Sequence, residues 1–217
     1  MTFGKQICRS VLCSLVWWSL FLQGPFAFSH ECEEPSSLAQ PLSTKNENLN
    51  LDQVIQNLAQ SSMREQNFHE TYTSHMLTTP SHKEGTLVFH PPALLEKHVR
   101  LPTEESFIIN GDSLLYENPS REISHTFSLK EYPALATFIV GLRALFNGDL
   151  EQLRQIFVVS ISGTTDVWEL DLSPKSQNDE DGVDCIRLVG EGTYLRTIMI
   201  YETNGDRSNL QLDPQVP

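Results

Sequence analysis

Two kinds of periodicity alternate along the chain and predict its secondary structure. Beyond position 48, the first apolar residues recur at the spacing of one helix face: Leu51, Val54, Ile55 and Leu58. Asn50 is available as the N-cap of this short helix. The next segment alternates, with Phe68, Tyr72 and Met76 on one face together with Glu70 and Ser74. This pattern predicts a half-buried strand.

Short apolar runs separated by turn residues then continue to the end of the chain. Pro91-Pro92 breaks one run, and the turn Asn110-Gly111-Asp112 lies between two others, which is a strong hairpin signal. Hairpins so close together require antiparallel pairing, because parallel neighbours need crossovers of a dozen or more residues. The predicted further strands are 85–89, 106–109, 114–116, 156–162, 167–172, 185–189, 194–201 and 208–212.

One long helix is predicted to interrupt these strands, over residues 133–146. It begins with Pro133, a favoured first-turn residue, and is followed by Gly148 as its stop signal. Asp149 can cap a second short helix. The first helix is apolar over most of its circumference, and Arg143 is its one charged residue. Two interpretations remain open: a helix packed on one face of a sheet, or a movable cover over an apolar cavity.

The N-terminal segment has the pattern of a secretory signal. Lys5 and Arg9 precede an apolar run of about a dozen residues, which is too short to cross a hydrocarbon layer of about 30 Å. Ala27 and Ser29 are small residues suited to cleavage after Ser29. We therefore expect a signal peptide at 1–29, a flexible leader at 30–48 and a single domain at 49–217.

The cysteine arrangement permits a disulfide without requiring one. Signal removal takes Cys8 and Cys13 away and leaves Cys32 and Cys185. In an oxidising compartment these two can pair. A buried Cys185 with a free Cys32 fits the sequence equally well.

Composition and motifs disfavour several function classes. The 217-residue chain has a net charge of −13, which would repel a nucleic-acid backbone. No zinc-protease, nucleophile-elbow or phosphate-loop motif is present in the sequence, and its seven histidines are scattered. We expect no enzymatic activity, no catalytic residue, no metal site and no cofactor, and no binding of nucleic acid.

The order of these segments resembles a known family. Gly85-Thr86-Leu87-Val88-Phe89 ends in a proline-containing loop, and the hairpin Pro-Thr-Glu-Glu-Ser-Phe-Ile-Ile-Asn-Gly-Asp-Ser-Leu-Leu-Tyr follows before the apolar helix. From about residue 51 to 212 the chain resembles the LolA-like outer-membrane lipoprotein carriers of Gram-negative bacteria, and it looks like a divergent member.

The resemblance implies an α+β fold, in which a strongly curved antiparallel sheet forms an incomplete barrel covered by helices. It also implies a periplasmic carrier that binds acyl chains of a lipoprotein or lipid-like molecule between sheet and helices. An inner-membrane release complex would supply the cargo and an outer-membrane acceptor would receive it. The alternative is a non-catalytic adaptor of an envelope lipid-export or assembly complex. We expect a monomer.

The candidate ligand-binding residues come from the apolar faces of the predicted strands and helix: Phe68, Tyr72, Leu87, Phe89, Ile109, Leu115, Phe138, Leu142 and Phe157. His90 stands where the family has a lid-latching arginine. An imidazole keeps donor ability but lacks the permanent charge and the five donors of a guanidinium, so a His90 latch would be weaker and sensitive to pH. The chain also ends soon after Leu212, where typical carriers continue.

Overall fold

The computed structural model describes residue 32 and residues 49–60, 65–176 and 182–214. The predicted signal peptide at 1–29 lies outside the described residues, as does the leader at 30–48 apart from Cys32. In the described part of the chain, no helix has the length and hydropathy needed to span a membrane.

One antiparallel sheet of eleven strands forms most of the structure. Its order is β6-β5-β4-β3-β2-β1-β11-β10-β9-β8-β7, and β6 and β7 are its two edges, so the sheet does not close into a barrel. This confirms the expected open α+β architecture. The strands are β1 Glu65–Thr73, β2 Ser81–His90, β3 Leu94–Leu101, β4 Glu105–Asn110, β5 Ser113–Asn118, β6 Ile123–Ser128, β7 Phe157–Gly163, β8 Val167–Pro174, β9 Val183–Glu191, β10 Tyr194–Glu202 and β11 Arg207–Leu212.

Three α-helices pack against one face of this sheet, which we call the inner face. They are α1 Leu51–Gln60, α2 Pro133–Asn147 and α3 Leu150–Ile156. The Asn50 side chain accepts a hydrogen bond from the Asp52 amide, and that of Asp149 accepts one from the Gln152 amide, as expected for N-caps. Gly148 ends α2 with a φ of 74°, the left-handed conformation that glycine adopts without strain.

The first and last strands meet in the middle of the sheet. β1 pairs with β11, with Phe68 opposite Leu212 and Thr73 opposite Arg207. On either side the sheet is a meander, β1 to β6 and β7 to β11, and the helical segment α2 and α3 connects the two outer edges. Because α2 leaves one edge and α3 enters the other, the helices have to cross the inner face.

Two strands were missed by sequence reasoning, and one prediction was extended too far. β3 carries four charged or titratable side chains in eight residues, which hide the inward alternation of Leu95, Lys97 and Val99. β6 has a single large apolar residue besides its first, Phe127. Met76 lies beyond the end of β1 and is 52% exposed, so it does not continue the buried face of that strand.

The cysteine question is settled in favour of pairing. Cys32 and Cys185 form a disulfide across 153 residues of sequence. Cys185 shares the outer face of β9 with Arg187, whose guanidinium donates to both carboxylate oxygens of Asp171 at 2.9 and 3.0 Å and to the Cys32 carbonyl at 3.0 Å. Cys32 is thereby held at the face of the sheet that the helices do not cover.

Candidate functional site

A small cavity lies between α2 and the inner face of the sheet. Its volume is about 90 Å³, and both halves of the sheet contribute to its wall. Its apolar lining consists of Leu87, Val88, Phe89, Leu95, Phe107 and Ile109 from β2 to β4, Ile198, Ile200 and Leu210 from β10 and β11, and Phe138, Ile139, Leu142 and Phe146 from α2. Every helical contribution to this wall comes from α2, so the position of α2 determines the size of the cavity.

Five of the nine residues expected to contact a ligand border this cavity: Leu87, Phe89, Ile109, Phe138 and Leu142. Their common location follows from strand parity and from the helical spacing of positions 138 and 142. Contact with a ligand stays a prediction for all five residues. The remaining four candidates lie elsewhere, each for a different reason.

Leu115 points away from the cavity. In β5 the buried residues are Leu114, Tyr116 and Asn118, which alternate with partly exposed Leu115. The run Leu114-Leu115-Tyr116 is apolar at all three positions, so hydrophobicity alone did not reveal which parity faces inward. The strand register shows that Leu114 is the inward residue, because it pairs with Ile109 and Phe127, which are both buried.

Phe68 and Tyr72 are inner-face residues that belong to the structural core and not to the cavity wall. Phe68 is 1% exposed. The Tyr72 hydroxyl donates a 2.6 Å hydrogen bond to Asp206 at the turn between β10 and β11. Burial, together with this carboxylate, raises the pKa of Tyr72. Tyr72 therefore connects β1 to the turn that precedes β11.

Phe157 packs against the back of α2. A Cβ atom at Gly141 would lie 2.4 Å from the Phe157 ring, so the helix can approach β7 this closely only because position 141 has no side chain. Phe157 thus supports α2 from a position outside the cavity.

The His90 side chain is exposed, and it has no hydrogen-bond or ion-pair partner among the described residues. A latch role for His90 stays a prediction. Other residues attach α2 at the same place: the Asn147 side chain donates to the Pro92 carbonyl at 2.9 Å, and the Phe89 and Phe146 rings are 5.1 Å apart. At the next turn, the Gln56 side chain of α1 donates to the Gly148 carbonyl at 3.2 Å.

One end of the cavity is charged, which sequence reasoning did not anticipate. Lys97 and Glu70 both line it, and Lys97 Nζ donates to Glu70 Oε2 at 2.7 Å. The Ser208 hydroxyl donates to Glu70 Oε1, also at 2.7 Å. The available signal was Glu70 itself, a carboxylate at the same strand parity as Phe68 and Tyr72.

A second ion pair lies beside the first on the same face. Lys83 Nζ is 3.0 Å from Glu105 Oε2, and each side chain is 14% exposed. Lys83 is directly opposite Glu70 in the register of β1 and β2. We call Glu70, Lys83, Lys97 and Glu105 the charged layer; two carboxylates and two ammonium groups make its formal charge zero.

The electrostatics of Glu70 predict an effect of acid on stability. Burial opposes ionisation, but the charge and hydrogen bond of Lys97, with the Ser208 hydroxyl, outweigh it and lower the pKa of Glu70 from its ordinary value of 4.5. Because the folded state binds this proton less readily than the unfolded chain, the stabilisation is complete above about pH 4.5 and is lost as the pH falls through the lowered pKa.

As the pH falls below about 4.5, we expect the free energy of unfolding to fall more steeply in the wild type than in the double variant Glu70→Gln/Lys97→Met, which lacks this titration. Urea unfolding at a series of pH values measures both profiles. Parallel profiles would show that Glu70 does not contribute to the acid dependence.

Comparisons with known proteins give the family. Among solved structures, the chain is similar to a LolA superfamily protein from Nitrosomonas europaea, with 9% identity over 76% of this chain and 94% of that one, at a TM-score of 0.38. It is also similar to a chain of the MucA/MucB complex of Pseudomonas aeruginosa (10% identity, 74% and 54% of the two chains, TM-score 0.40) and to one of the complex of CwlD amidase with the GerS lipoprotein of Clostridioides difficile (12%, 75% and 92%, TM-score 0.36).

No curated protein matches the chain significantly in sequence. The family model described as outer membrane lipoprotein carrier protein LolA-like matches residues 43–213, which is most of the chain. The chain therefore belongs to the LolA-like family of outer membrane lipoprotein carrier proteins.

Proposed function

We propose that this protein is a periplasmic carrier that binds the acyl chains of a lipoprotein or lipid-like molecule between α2 and the sheet and transfers them towards the outer membrane. Family membership supports a binding role in the cell envelope, as carrier or adaptor. The observation that favours the carrier is the apolar cavity beneath a single helix. In keeping with the family resemblance, an inner-membrane release complex would load the protein and an outer-membrane acceptor would unload it.

The size of the cavity requires that α2 moves when a ligand binds. An apolar cavity of about 150 Å³ holds one benzene molecule. The cavity here, at about 90 Å³, is too small for an acyl chain. An acyl chain therefore has to displace α2 from the sheet, and the contacts that α2 loses are replaced by contacts with the ligand.

The attachment of α2 is consistent with such a movement. Its first residues lack a side-chain cap, and the polar contacts at its other end are the two amide donors of Asn147 and Gln56. Apart from the electrostatic interaction of Arg143 with Asp112 at the turn between β4 and β5, the contacts described between α2 and the inner face are mainly apolar and non-directional, so an acyl chain can substitute for them. Burial of about 300 Å² of acyl surface would supply about 7 kcal/mol of gross affinity at about 25 cal/mol per Å².

Filling the cavity is expected to prevent binding. Leu142→Trp places a larger side chain of α2 in the cavity, so we expect at least a tenfold loss of affinity for the uncharged fluorescent dye phenylnaphthylamine while the thermal unfolding transition is retained. Leu101→Trp is the matched control, because Leu101 is 56% exposed and does not border the cavity. Equal binding by both variants, or no binding by the wild type, would contradict the proposal.

A further inference from the structure

The charged layer restricts what kind of acyl ligand the cavity can accept. Lys97 and Glu70 border the cavity directly, and their side chains are 12% and 2% exposed. A ligand chain that lies under α2 therefore has one end close to a buried ammonium group. The chemistry of that ammonium determines which polar group is tolerated there.

Lys97 has hydrogen-bonding capacity for a ligand. A lysine ammonium has three N–H donors. In the described structure its one hydrogen-bond acceptor is Glu70 Oε2, and the Phe68 ring centroid lies 5.1 Å from Nζ. An oxygen atom of a ligand can accept a further hydrogen bond without displacing Glu70.

Because the charged layer is neutral, it favours an uncharged ligand oxygen over a carboxylate oxygen as the acceptor for Lys97. Glu70 balances Lys97, and Glu105 balances Lys83. Glu96 also lines the cavity, and its carboxylate lies 2.7 Å from His98 Nε2, so the charged residues of the lining leave no excess of positive charge. A fatty-acid carboxylate would add an unbalanced negative charge beside buried Glu70, and an unpaired buried charge is costly. The carbonyl of an acyl ester or amide accepts the same hydrogen bond and adds no charge.

We infer that Lys97 and Glu70 form the polar end of the ligand site and select uncharged acyl esters and amides over ionised fatty acids. Lys97 donates to the acyl carbonyl, and Glu70 cancels the charge that would otherwise attract a carboxylate. This inference rests on the proposed function, since it requires that an acyl chain enters the cavity.

The test compares glycerol monolaurate with laurate, which carry the same acyl chain. Affinities are measured at about pH 8, where laurate is ionised, by displacement of the uncharged dye phenylnaphthylamine. We expect the wild type to bind the ester at least about tenfold more tightly. In Glu70→Gln the ammonium is no longer balanced, so laurate should gain about tenfold or more, and the preference should disappear or reverse.

The matched control is Glu105→Gln, which makes the same change in the pair that does not line the cavity; the ester preference should persist. If Glu70→Gln unfolds, Glu70→Gln/Lys97→Met serves instead. It removes both charges and the donor, and we expect it to bind the ester about tenfold more weakly than the wild type. Thermal unfolding verifies that each variant is folded.

Two outcomes separate this inference from the proposed function. If the wild type binds ester and acid equally, or if neither Glu70→Gln nor Glu70→Gln/Lys97→Met changes the ratio of the two affinities, the inference is wrong and the carrier function stands. If the wild type binds neither ligand, the carrier function fails and the inference fails with it.

Discussion

Lys97→Met is expected to destabilise the protein by about 3–5 kcal/mol, because it leaves the Glu70 carboxylate buried without its cation. Glu70 is 2% exposed in its side chain, so water cannot replace the ammonium. In the double variant Glu70→Gln/Lys97→Met the charge is removed as well, and we expect it to recover at least half of the loss. Urea unfolding of the two variants and the wild type measures the difference.

The exposed pair of Lys130 with Asp112 provides the control for that experiment. Lys130 Nζ lies 3.3 Å from Asp112 Oδ2, and the side chains of Lys130 and Asp112 are 80% and 70% exposed. Lys130→Met should therefore cost less than about 1 kcal/mol. A Lys97→Met variant as stable as Lys130→Met, or a double variant no more stable than Lys97→Met, would show that the buried pair is not important for stability.

Loss of the disulfide is expected to cost about 5 kcal/mol. The bond closes a loop of 153 residues, and in the chain-entropy model a longer loop restricts the unfolded chain more. For a domain of this size the loss corresponds to a fall of about 10 °C in melting temperature. We expect Cys32→Ser, or wild-type protein in reductant, to show this fall in a thermal unfolding experiment.

Comparison of the two treatments separates the disulfide from other effects of the substitution. The melting temperature of Cys32→Ser should not change in reductant. The melting temperature of the reduced wild type should fall towards that of the variant. An unchanged wild-type melting temperature in reductant would mean that the bond does not stabilise the folded chain. Cys32 is the better position for substitution, because it is 7% exposed against 2% for Cys185, so a serine there buries its hydroxyl less completely.

The parts of the fold that sequence predicted well are those with a single strong period. For α2, the spacing of the apolar residues, Pro133 as a start signal and Gly148 as a stop signal all predict the same helix. Its bounds in the structure are Pro133–Asn147. Turn sequences such as Asn110-Gly111-Asp112 correctly predicted where hairpins form, here between β4 and β5. The open antiparallel sheet with its helices then follows from the order of these elements.

The parts that sequence missed depend on long-range partners. Lys97 is charged, so β3 did not present an alternating pattern. Its side chain is only 12% exposed because Glu70, 27 positions earlier, lies beside it on the inner face. Leu115 and Leu114 are chemically identical, and the neighbouring strands decide which of them faces inward. The pairing of Cys32 with Cys185 likewise needed the position of β9.

The pairing of β1 with β11 has a consequence for the way the protein is made. Phe68 in β1 pairs with Leu212 in β11, so the centre of the sheet cannot form until residues up to Leu212 have been synthesised. Contacts between such distant residues close late and slowly, because a large loop entropy is lost before they form. Until then β1 and β11 each lack a partner along one edge, and exposed strand edges favour aggregation. We expect the newly synthesised chain to need protection during this interval.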